Sequence, residues 1–105
     1  MSPTQLSLRW LRERGYTAAV VEHYSSFDRK RHDLFGFIDI LALKGAETVA
    51  VQTTTAHNVN ARIKKIADSP NIAAVREAGW TVLVQGWSQK RPRARWELTR
   101  NEDLS

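Results

Sequence analysis

Gly36–Thr55, GFIDILALKGAETVAVQTTT, is the stretch on which the reading of this chain turns. Two β-prone runs flank Gly45-Ala46, a pair suited to a two-residue reversal with glycine first, the type II′ arrangement. Such a turn fixes register: Lys44 faces Glu47, Leu41 faces Ala50, Asp39 faces Gln52 and Phe37 faces Thr54. Paired residues point to the same side of a sheet. One side therefore carries Phe37, Asp39, Leu41, Ala50, Gln52 and Thr54. The other carries Ile38, Ile40, Ala42, Val49, Val51 and Thr53, a core face apart from its last member. The polar groups converge instead of scattering. A carboxylate inside an apolar strand is expensive to desolvate, so Asp39 marks a site built on a sheet.

Outward from the hairpin, helical and extended patterns alternate. Ser2-Pro3-Thr4-Gln5 is a helix start, with serine to cap, proline at the first helical position and Gln5 completing a capping box. Leu6, Trp10 and Leu11 share one face of that helix, and Gly15 stops it. Residues 16–24 read as a strand, and the polar run Ser25–Asp33 as a loop. A helix follows over His57–Ala67, with Val59, Ile63, Ile66 and Ala67 inward and Arg62, Lys64 and Lys65 off that stripe. Ser69-Pro70 opens another helix that ends at Gly79. Trp80–Gly86 is a strand, residues 88–93 a basic loop, and Ala94–Thr99 an edge strand. The order is α-β-β-β-α-α-β-β, an α/β sandwich with a mixed sheet.

Length and composition set the bounds. A chain of 105 residues is one domain, with a core over about 5–99 and a frayed tail over 100–105. Its 42% apolar and 26% charged residues make it globular rather than disordered. Sixteen Lys and Arg against eleven Asp and Glu give +5 at pH 7 and a pI near 10.1, which favours an anionic partner, nucleic acid first, over a merely soluble basic protein. The absence of cysteine excludes disulfides and cysteine-ligated zinc. No run approaches the roughly 20 apolar residues of a membrane span, and no apolar leader is present. The expectation is a cytoplasmic protein with no membrane association.

That order of elements, with Gly36-Phe37-Ile38-Asp39 opening the second strand and Val51-Gln52-Thr53-Thr54 closing the hairpin, resembles the PD-(D/E)xK nuclease superfamily. It is similar to the small archaeal-type Holliday-junction resolvases and related stand-alone phage nucleases, over roughly Gln5–Gly86. The resemblance implies a restriction-endonuclease-like α-β-β-β-α-β core with a mixed sheet flanked by helices. It also implies a metal-dependent endonuclease acting on structured or double-stranded DNA as a homodimer, with Mg²⁺ or Mn²⁺. The family places an acid at the position of Asp39, a second at that of Gln52 and a lysine at that of Thr54. Here the last two are an amide and a hydroxyl, and Lys64 or Lys65 on the next helix is the replacement cation. Gln5, or less well Glu13, stands where many relatives carry an acid on the first helix.

Phosphodiester hydrolysis needs an in-line water, charge neutralisation at phosphorus and help for the leaving oxygen, and Mg²⁺ on one or two carboxylates supplies much of this. Asp39 is the first ligand candidate, Asp33 the second carboxylate and Glu22 a third; Asp33 reads equally as a solvated loop acid. Gln52 completes the shell or bonds a neighbouring backbone, and Thr54 orients water or simply fills a strand position. His57 is a general-acid candidate or a surface capping residue. Arg29, Lys30, Arg31, Arg62, Lys64 and Lys65 are the phosphate-binding candidates. Trp87 and Trp96 offer base stacking or core packing. Two alternatives stay open beside the enzyme: a catalytically impaired nuclease-fold DNA-binding module or accessory subunit, and an interaction protein with no nucleic-acid role.

Overall fold

The apolar strands that the hairpin predicts sit at the centre of a five-stranded sheet. The computed structural model describes residues 1–105. The elements are α1 (Pro3–Glu13), β1 (Thr17–Val20), β2 (His23–Ser25), β3 (Lys30–His32), β4 (Ile40–Lys44), β5 (Glu47–Thr55), a 3₁₀ turn (Ala56–Asn58), α2 (Val59–Ala67), α3 (Ile72–Glu77), β6 (Thr81–Ser88) and β7 (Glu97–Asp103). The sheet order is β1-β4-β5-β6-β7, and β2 and β3 form a separate two-stranded ribbon. β5 and β6 run parallel, while every other neighbouring pair is antiparallel. The result is a mixed α/β sheet flanked by helices.

The β4–β5 register is the predicted one, with Leu41 opposite Ala50, Ala42 opposite Val49 and Lys44 opposite Glu47. Gly45 takes φ +58° and Ala46 does not enter the left-handed region, the pattern of a II′ reversal. α1 lies on one face, where Leu8 and Leu11 pack with Ala18, Ile40, Ala42, Val49 and Val51. α2 and α3 cover the other, bringing Val59, Ile66, Ile72 and Val75 onto Ala50, Val82 and Val84. Both faces of the central strands are therefore dry, as expected where helices cover a parallel pair. At α1 the Ser2 hydroxyl accepts the Gln5 N–H at 3.3 Å and Pro3 opens the helix, as its sequence predicts. No helix is long and apolar enough to cross a membrane.

Several expectations change, among them the edge strand, which is Glu97–Asp103 and not Ala94–Thr99, and the helix expected to open at Ser69-Pro70, which starts at Ile72. Ser25–Asp33 is not a simple loop: Lys30–His32 folds back on His23–Ser25 to make the ribbon. The predicted strand over 16–24 accordingly breaks after Val20 and restarts at His23. The β4 ladder begins at Ile40, so Phe37 does not pair with Thr54; a tight Leu34–Ile38 bridge turns the chain, and Phe37 and Ile38 both drop into the α2/α3 core. Finally, the tail is not frayed. β7 runs to Asp103, Leu104 N–H donates to Val82 O at 2.8 Å, Val82 N–H donates to the Ser105 hydroxyl at 2.8 Å, and Arg76 holds the Leu104 carbonyl. The free edge of β6 needs backbone partners, and residues 97–105 supply them.

Candidate functional site

Asp39 lies at the point where the chain enters β4, and its backbone stays in the sheet: its N–H donates to Val51 O and its carbonyl accepts from Val21 N–H, both at 2.9 Å. The side chain is only 5% exposed. One carboxylate oxygen, Oδ2, accepts the Gln52 amide Nε2–H at 2.6 Å and the Thr53 backbone N–H at 2.9 Å. The acid and amide thus meet across the strands, as their facing positions predict.

Thr53 is fixed for this task from the opposite face. The Trp87 indole N–H donates to Ser7 Oγ at 2.8 Å, Ser7 Oγ and Thr53 Oγ1 are 2.7 Å apart, and Thr53 Oγ1 donates to Pro3 O at 3.1 Å. This buried chain ties α1 and β6 to β5 and accounts for the one polar member of an otherwise apolar face. It also assigns Trp87 to the core rather than to base stacking.

Two further acids reach Asp39 through the ribbon. β2 and β3 pair His23 with His32, and continuing that register by one residue sets Glu22 opposite Asp33 at the ribbon's root. One carboxylate oxygen from each of Glu22, Asp33 and Asp39 lies within 4.8 Å of the others. Glu22 and Asp33 are partly exposed, while Asp39 forms the buried floor. Burial above all, then the neighbouring Asp33 and Glu22 carboxylates, pushes the Asp39 carboxyl up to about 7, against the Thr53 N–H that favours its charged form.

Cations flank the acids. Arg31 Nη1 is 3.2 Å from Glu22 Oε1, and Lys65 Nζ on α2 is 3.7 Å from Asp33 Oδ2. Lys65 is therefore at the cluster, whereas no hydrogen bond or ion pair ties Lys64 or Arg62 to it. Arg29 and Lys30 are exposed further out along the ribbon. Thr54 is buried, with no hydrogen bond to any of the three carboxylates, and His57 is an exposed residue of the 3₁₀ turn. Gln5 contributes its backbone N–H to the α1 cap.

One polar atom at the floor is orphaned. Gln52 is 3% exposed, and while its Nε2 bonds Asp39, its Oε1 has no partner. A buried acceptor left unpaired costs roughly 1–3 kcal/mol. The three carboxylates offer only oxygen donors, the chemistry suited to a hard divalent cation such as Mg²⁺ or Mn²⁺ and not to a soft one. Glu22 is the site residue with the weakest sequence signal; only the pairing of the ribbon brings it within reach of Asp33 and Asp39. No protein-family model matches this chain, and comparison with curated proteins and with solved structures finds no match to either.

Proposed function

We propose that this chain is a metal-dependent endonuclease that hydrolyses phosphodiester bonds in structured or double-stranded DNA. The observation that carries the reading is the convergence of Glu22, Asp33 and Asp39, from separate segments, beside a buried unpartnered amide oxygen. The order of elements supports it: a helix, an antiparallel β1-β4-β5 meander, a helical crossover and a parallel β6 are the parts of a restriction-endonuclease-like core, with the ribbon inserted between β1 and β4.

In this reading Glu22, Asp33, Asp39 and Gln52 Oε1 hold Mg²⁺ or Mn²⁺, which supplies Lewis acidity at the phosphate and a more acidic water. Asp39 is the anchor, because Gln52 and Thr53 fix its rotamer before any ligand arrives. Lys65 supplies the positive charge for which the resembling nucleases use a lysine at the position of Thr54. Arg29, Lys30, Arg31, Arg62 and Lys64 extend a basic surface on the ribbon and α2 for the DNA backbone. A homodimer would present two such sites to the symmetric strands of a four-way junction.

The second reading, a DNA-binding module without chemistry, draws on the ion pairs. Arg31 and Lys65 already compensate Glu22 and Asp33, and Gln52 brings no charge to the site. One experiment separates the two. Labelled four-way junctions, forks and linear duplex are incubated with the protein and with Asp39→Ala, in Mg²⁺, in Mn²⁺ and in EDTA. Cation-dependent nicking that the variant lacks is the expected result. Tight, salt-sensitive binding without nicking selects the module, and absence of binding at low salt overturns both.

A further inference from the structure

The ribbon carries a feature that the metal cluster does not use. Phe27, at its tip, is 98% exposed, and Tyr24 on β2 is 61% exposed. Phe27 thus stands almost wholly in water, and with Tyr24 it gives the ribbon two exposed aromatic rings of the kind on which bases stack. Around it the charge is positive. Arg29, Lys30 and Arg31 are exposed, and the one acid of the tip, Asp28, is exposed as well but engaged by His32 at 2.7 Å and by the Lys30 N–H at 3.1 Å. Arg29 holds φ +56°, a turn position that glycine would occupy at less cost, so a cation is kept there against backbone preference.

The ribbon is also a ruler. Its register puts Tyr24 and Arg31 on the same side as Glu22 and Asp33, so a single face runs from the acids toward the tip. Three strand residues and half a turn separate Glu22 from Phe27, a reach of roughly 10–15 Å at about 3.3 Å per residue, or roughly three to four steps of a duplex at 3.4 Å.

We propose that Phe27 is a wedge that enters a base stack three to four steps from the phosphate engaged at the acid cluster, with Arg29 and Lys30 gripping the adjoining backbone. The occupant is duplex DNA with a weakened stack, at a fork or junction, because unstacking there costs least. The inference rests on the DNA-binding part of the proposed function and is independent of hydrolysis.

The test uses the full chain in EDTA with a forked duplex carrying 2-aminopurine three to four steps from the branch. Wild type raises the 2-aminopurine fluorescence on binding. Phe27→Ala, with an unchanged circular dichroism spectrum, binds the fork at least about tenfold more weakly and loses the fluorescence rise, whereas Phe27→Trp keeps both. Arg29→Gly relieves the strained turn, melts no lower than wild type and binds several-fold more weakly. Equal binding and equal fluorescence in Phe27→Ala overturn the wedge. So does binding of wild type to anionic phosphatidylserine vesicles but not to the fork. A protein that unstacks the fork in EDTA yet never nicks it in Mg²⁺ retains the wedge and loses only the nuclease reading.

Discussion

Asp39 shows how a buried acid is made tolerable and useful at once. Two donors on one oxygen and two acids nearby act in opposite directions on its proton, and desolvation outweighs the donors. With a folded pKa near 7 against about 3.9 when unfolded, the native state keeps this proton where the unfolded chain has lost it. Stability in EDTA is therefore expected to fall as pH rises from about 4 to about 7. Roughly three pH units at about 1.4 kcal/mol each set a ceiling near 4 kcal/mol, lowered by sharing with Asp33. Asp39→Asn keeps an oxygen for the Gln52 and Thr53 donors and removes the charge. Thermal melts should place Asp39→Asn above wild type at pH 8 and close to it at pH 4. A constant gap between the two proteins across that range would contradict the shifted proton.

At the scale of elements, the contact most sensitive to a small change is the one between β6 and the start of the helical crossover. A Cβ added at Gly86 would collide with the Val59 side chain and come within 2.9 Å of Ala56 Cα and 3.2 Å of Arg100 Cβ. Two of those three neighbours offer little give, one being backbone and the other packed in the core. Gly86→Ala is expected to cost about 1–3 kcal/mol, read as a lower urea midpoint at unchanged m. The same scale shows what the sequence makes legible. The Gly45-Ala46 reversal dictates its own register, so the central hairpin and the Asp39–Gln52 contact follow from local chemistry. The ribbon does not, because the charges over Asp28–Asp33 resemble a solvated loop, and its short ladder is stabilised by pairing that no local apolar alternation announces. Glu22 is legible only as a third candidate for the same reason: its partnership with Asp33 exists only once the ribbon folds. The polar tail looks solvated until β6 is seen to lack a partner on that side.

Across the whole molecule, the central strands are buried on both faces, and the acid cluster sits at their ends and on the ribbon attached there. The acids sit where β4 begins, the ribbon leaves the sheet at the same place, and Lys65 reaches over from α2. The chain that carries this small acidic spot has a net charge of +5, a balance that attracts a polyanion. The claim on which this account stands is that Glu22, Asp33, Asp39 and Gln52 together bind a divalent ion. Isothermal titration of Mn²⁺ into the metal-free protein at pH 8, beside Asp39→Asn, tests it without any substrate. One ion per chain is predicted for wild type, with at least about tenfold weaker binding in the variant. No saturable binding, or equal affinity in both proteins, would contradict it.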